Sequence, residues 1–173
     1  VVGSGVQAHH PVTDGAARLL LLEGLAGIGK TSVLDAITAQ LGASGLRTVR
    51  VSLTAAETVL SWAGLISLCG QLRSGAREVL PSAQREALAA ALGGEGVREV
   101  EPMLVAAALA GLVAAEVAEH APLLVVVDDV HWLDQASASA LAFTIRSMAS
   151  MSVAFAIASR PERRPLEPER LLA

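Results

Sequence analysis

An α/β sandwich of three layers around a mostly parallel sheet is the fold class this sequence predicts, on three observations. Short continuous apolar runs stand at residues 19–22, 123–127 and 153–158, as strands covered on both faces require. Apolar residues at helical spacing lie between those runs. Glycine or polar turns separate the two patterns, so strand and helix alternate along the chain.

The elements follow in order. Residues 1–15 read as an irregular segment, interrupted by Gly3, Gly5, Pro11 and Gly15, with His9 and His10 as exposed loop residues. Residues 18–23 form a first core strand. A glycine-rich turn leads into a helix over 30–41, where Val33, Leu34, Ile37 and Leu41 recur on one side. Gly42 and Gly45 end it. A strand over 46–53 turns Val49 and Val51 one way. Residues 54–120 are mostly helical, with helices near 58–73, 82–92 and 102–120, a break at Gly93, Gly94 and Gly96, and Pro102 in a first turn. The strand at 123–128 ends in a carboxylate, and a helix over 135–148 leads to a last strand at 153–158.

Composition narrows the function. The 173 residues suit one domain; 53% are hydrophobic, 2% aromatic and 17% charged, below the usual ~25% charged. So apolar a domain is expected to have a partner over part of its surface. A net charge of −4 gives no support to direct nucleic-acid binding. Arg160, Arg163, Arg164 and Arg170 alternate with Glu162, Glu167 and Glu169, which reads as a mixed solvated surface. Cys69 is the single cysteine, so no intrachain disulfide forms, and a reducing cytoplasmic setting is expected. The first ten residues lack the pattern of a signal peptide, and runs such as 123–127 are far too short to span a bilayer.

The strongest motif is Gly24-Leu25-Ala26-Gly27-Ile28-Gly29-Lys30-Thr31, which satisfies G-x-x-x-x-G-K-[ST] at every fixed position. Gly24, Gly27 and Gly29 let the backbone curl, so that successive N–H groups, Ile28 and Ser32 included, face an anion. The helix that follows adds the positive end of its dipole. Lys30 is placed to reach the β- and γ-phosphates and Thr31 to put its hydroxyl on Mg²⁺. Leu25 is expected to pack. The motif thus points to a phosphate loop for ATP with Mg²⁺.

Asp128 closes the apolar strand at the sheet edge where open α/β folds bind ligands, which makes it the candidate Mg²⁺ partner beside Thr31. Asp129 either polarises the attacking water or serves as a turn residue. Consecutive residues of an ideal strand face opposite ways, so the two carboxylates divide their roles. His131 either senses the γ-phosphate or a neighbouring subunit, or holds the loop; Trp132 docks that loop and Asp134 caps the next helix. Arg160, just past the last strand, either reports the γ-phosphate or faces solvent.

These residues carry a resemblance. Leu21-Leu22-Glu23 running into the phosphate loop, then Leu124-Val125-Val126-Val127-Asp128-Asp129-Val130-His131-Trp132-Leu133-Asp134, then Ala158-Ser159-Arg160-Pro161, resemble the STAND class of P-loop NTPases. The likeness is strongest to the AAA-type ATPase domain of large LuxR-type transcriptional regulators of actinobacteria. It implies Lys30 and Thr31 for phosphate and Mg²⁺, Asp128 for Mg²⁺, Asp129 for water activation and Arg160 as sensor. It also implies a sheet ordered 5-1-4-3-2, of which this chain supplies strands one to four. The chain is therefore expected to stop before the fifth core strand, leaving strand one as an exposed edge. Residues 1–13 show no Gly-Arg-Glu opening, and Leu25 stands where relatives often have Pro.

The expected organisation is an N-terminal segment at 1–15, a P-loop NTPase core at 16–160 and a charged segment at 161–173 leading into further domains of the same chain. The expected activity is a slow Mg²⁺-dependent ATPase acting as a regulatory switch, with ATP or ADP, those further domains and other copies of the chain as partners, and no membrane. The alternatives are a small-molecule kinase and a non-catalytic nucleotide-binding fragment. Arginines are sparse between Val100 and Asp134, which argues against the kinase.

Overall fold

Apolar strands need cover on both faces, and here they receive it unequally. The computed structural model describes residues 7–9, 18–72, 74–93, 100–161 and 166. Among the described residues five strands, β1 (Gln7–His9), β2 (Arg18–Glu23), β3 (Arg47–Ser52), β4 (Leu123–Asp128) and β5 (Val153–Ser159), form one sheet in the order β1-β2-β5-β4-β3. β2, β5, β4 and β3 run parallel, and β1 is antiparallel to β2. Five α-helices accompany them among the described residues: α1 (Lys30–Gly42), α2 (Ala63–Gln71), α3 (Ser82–Ala91), α4 (Pro102–His120) and α5 (Gln135–Ser147).

Side-chain alternation sorts each strand between two cores. On one face Leu19, Leu21, Val49, Val51, Val125, Val127, Phe155 and Ile157 pack beneath α2, α4 and α5. On the other, Leu22, Leu124, Val126, Ala156 and Ala158 meet Leu34 of α1. β5 places large residues on the thick face and alanines on the thin one, which lets α1 approach the sheet closely. β4 is central and buried at all six positions, as its unbroken Leu-Val run requires.

Several expectations change. Gln7–His9, expected to be irregular, pairs with Leu21–Glu23 and covers the outer edge of β2. Strand one is therefore not the exposed edge foreseen from the sequence, and His9 is a strand residue. The apolar stripe of α1 is narrower than its spacing implies: Leu34 is buried, while Val33 and Leu41 are exposed. Residues 58–73 do not form one helix. A 3-10 turn (Ala55–Thr58) precedes α2, and another (Ser74–Val79) follows it. α4 is long and apolar enough, by length and composition, to cross a membrane. In this structure it is a core helix, with Val105, Ala108, Leu109 and Leu112 inaccessible and α3 and α5 packed against it. The rest of segment 1–15, the glycines at 94 and 96 and the charged residues Glu162, Arg163, Arg164, Glu167, Glu169 and Arg170 lie outside the described residues.

Candidate functional site

The parallel register brings the carboxyl ends of four strands level: Glu23 lies opposite Ser159, and Ser52 opposite Asp128. Every loop that leaves this edge therefore leaves together, where a parallel sheet binds its ligand. The first is the glycine loop between β2 and α1. Gly27 (φ 77°) and Gly29 (φ 99°) take the left-handed conformation that side chains resist. Gly24 has no positive φ, so the turn's demand falls on the other two glycines. Gly29 is also the N-cap of α1, with no side chain over the helix terminus.

Lys30 is buried at the start of α1, and its Nζ donates to the carbonyls of Gly24 (2.8 Å) and Leu25 (2.9 Å). Those two bonds hold the ammonium under its own loop. Leu25 does not pack as expected: it is 51% exposed.

A cleft of about 280 Å³ is walled by Ala26, Gly27, Gly29, Lys30, Thr31, Ser32, Asp129 and Arg160. Residues from three separate loops thus converge on one space. Gly24, Ile28 and Asp128, also named from the sequence, are not among its walls, while Ala26, to which the motif assigns no role, is.

Asp128 and Asp129 lie in different surroundings. Asp128 is buried, on the same sheet face as α1; its Oδ1 accepts the Asp129 N–H (2.9 Å), and Arg50 Nη2 lies 3.7 Å from its Oδ2. Asp129 breaks the strand with φ 55°, a left-handed turn that aspartate tolerates better than most residues. That turn starts a short 3-10 helix (Val130–Trp132) and directs Asp129 to the cleft. Asp129 is therefore both the turn residue and a wall of the site.

The loop after Asp129 is firmly held. His131 is buried, its ring 4.8 Å from that of Trp132 and its Nδ1 3.7 Å from Asp129 Oδ1. It is not a wall of the cleft. Trp132 carries the Arg160 guanidinium 5.9 Å from its ring centroid, and its carbonyl accepts from Thr58 Oγ1. Arg160 Nε is buried without a hydrogen-bond partner among the described residues. Asp134 caps α5 through the Ser137 N–H and also accepts from Trp62 N–H (2.9 Å) and Gly64 N–H (3.2 Å). Burial pushes the Asp134 carboxyl up, but its hydrogen bonds to Ser137, Trp62 and Gly64 outweigh that and hold it below the usual range.

Arg50 and its second partner, Asp35 of α1, were missed in the sequence. The signal was a charged residue alternating with Val49 and Val51 two positions before the end of the strand that pairs with β4.

A parallel sheet whose first core strand feeds a glycine turn, a lysine and a helix, beside an acidic strand end, defines a P-loop NTPase domain. The chain belongs to the AAA ATPase domain family, whose model matches residues 6–156. ATP binding is the general function that this membership brings. No curated protein and no solved structure matches the chain significantly.

Proposed function

We propose that this chain is an ATP-binding, slowly hydrolysing switch domain of a multidomain regulator, of the STAND type that its Asp-Asp-x-His-Trp-x-Asp stretch resembles. The convergence of Lys30, Thr31, Asp129 and Arg160 on one cleft carries this reading. The Lys30 ammonium has three donors, and two are spent on Gly24 and Leu25, which leaves one for a phosphate oxygen. Arg160 adds a buried donor without a partner among the described residues, which an anion would satisfy.

The donor set also fits Mg²⁺. The Thr31 hydroxyl and the Asp128 carboxylate are hard oxygen ligands, at the helix start and the adjoining strand end. No group of three or more His, Cys, Asp or Glu among the described residues could cage a metal unaided. Mg²⁺ characteristically keeps only one or two carboxylates and takes its other ligands from phosphates and water. When bound, it would neutralise charge on the β- and γ-phosphates. Asp129 would then orient the attacking water, with Arg160 on the γ-phosphate. The Arg160–Trp132 contact ties that phosphate position to a loop anchored on α2 and α5, which supports a switch rather than a metabolic role.

Nucleotide titration and single-turnover hydrolysis test the reading. Lys30→Ala should weaken ATP binding at least tenfold, about 1.4 kcal/mol. Asp129→Asn should bind ATP and lose hydrolysis, and Asp128→Asn should lose the Mg²⁺ dependence of binding. Parent-like ATP affinity in Lys30→Ala, or full hydrolysis by Asp129→Asn, would overturn the assignment.

A further inference from the structure

Arg50 stands on the edge strand β3 between Val49 and Val51, whose side chains are buried on the thick face. Alternation therefore puts Arg50 on the α1 face. There its two terminal nitrogens part: Nη1 makes an ion-paired hydrogen bond to Asp35 Oδ1, and Nη2 lies 3.7 Å from Asp128 Oδ2. Asp35 follows Thr31 by four residues, one helical turn, so the two share a side of α1. Arg50 thus grips α1 one turn below Thr31 and grips β4 at Asp128.

We propose that Arg50 is a positioning residue for the metal-linked half of the nucleotide site, holding the helix that carries Thr31 at a set distance from the strand that carries Asp128. The proposal rests on the reading of Thr31 and Asp128 as the Mg²⁺ residues. Three features favour a brace over a chance surface pair. An exposed ion pair contributes little to stability, and Asp35 is 59% exposed, so the Asp35 end alone gives the arginine no stabilising role. Asp128 by contrast is 4% exposed, and the Asp129 N–H orients its Oδ1 while Arg50 faces its Oδ2. Lastly, separate nitrogens of one planar fork meet the two acceptors, a geometry that the single nitrogen of a lysine does not reproduce.

Outer partners of metal ligands commonly set metal affinity, because they orient the ligand before the ion arrives. The brace should therefore act on the Mg²⁺-dependent part of ATP binding and not on the part that Lys30 and the glycine loop supply.

The test measures ATP affinity by calorimetry on the full chain, once in EDTA and once in Mg²⁺, with a thermal melt of each protein. The proteins are the parent, Arg50→Lys, Asp35→Asn and the double variant. Asp35→Asn removes only the exposed end of the brace, so it remains informative if an Arg50 variant folds poorly. Arg50→Lys should cut the gain that Mg²⁺ confers by about tenfold, the lower end of what direct outer partners of metal ligands are worth, and Asp35→Asn should cut it by part of that. Affinity in EDTA should stay at the parent value, and the double variant should lose no more than Arg50→Lys alone. A parent-like Mg²⁺ gain in Asp35→Asn and Arg50→Lys would overturn the brace alone, as would additive losses or an equal loss in EDTA. A parent protein that gains nothing from Mg²⁺ would overturn the metal reading itself and the brace with it.

Discussion

Replacing Asp134 by alanine should destabilise the domain by about 3 kcal/mol, a figure that follows from what the carboxylate holds. Its Oδ1 accepts from Trp62 N–H and Ser137 N–H, and its Oδ2 from Gly64 N–H. Alanine would leave three backbone donors without this acceptor. An orphaned buried donor costs about 1–3 kcal/mol, and the lost helix cap about 1 kcal/mol within that total. Some of the loss returns, because Trp62 sits at φ 68°, a strained position for a bulky residue, costing about 1–3 kcal/mol, that can relax once released. Asparagine keeps the Oδ1 pair and sets an amide N–H against Gly64, so it should cost about half as much as alanine. Thermal unfolding followed by circular dichroism should show Asp134→Ala lowered by about 10 °C, at roughly 2–4 °C per kcal/mol for a domain of this size. The effect is also pH-dependent. The folded carboxyl is held below its ordinary pKa, so its contribution is complete above about pH 4 and fades as pH falls through the lowered value. The gap between parent and Asp134→Ala should therefore narrow in acid. An alanine variant within 1 kcal/mol of the parent at neutral pH, or an asparagine variant as damaged as alanine, would refute the reasoning.

Other expectations are simpler. Gly29→Ala keeps open space around its new Cβ but forces a side chain to φ 99°; a loss of about 1–2 kcal/mol and weaker ATP binding should appear together in unfolding and titration. Gly64→Ala sets a Cβ 2.1 Å from Leu133 Cδ1 in a buried contact, and overpacking of about 1–3 kcal/mol should appear in denaturant melts. Burial pushes the Cys69 thiol up to about 11, so a disulfide reagent at pH 8 should modify it far more slowly in the folded protein than in denaturant.

The glycine loop and β4 were legible because each is a local pattern: glycines and lysine at set spacing, and an apolar run that only a covered strand explains. The strand order 1-4-3-2 was legible only through resemblance, and the structure has it as β2-β5-β4-β3. What escaped depended on distant partners. Gln7–His9 has no strand pattern of its own and pairs because β2 offers an open edge. Val33 and Leu41 repeat at helical spacing, yet a single helix over a flat sheet buries only its central line, so Leu34 is covered and they are not. The roles of Asp128 and Asp129 were expected to separate, but the direction of Asp129 depended on its own left-handed turn, which sequence spacing does not encode.

The unequal cover of the sheet has a consequence for where the domain loosens first. Among the described residues, α1 meets the sheet through a small cluster, whereas α4 sits within the large one. Amide hydrogens of α1 should therefore exchange through openings of lower free energy than those of α4, since local opening there exposes less apolar surface. The phosphate loop is joined to this easily opened layer. A ligand that binds only the closed form adds its binding free energy to that layer's protection. Occupancy would then be written as a change in the order of one helix, with the rest of the scaffold unmoved.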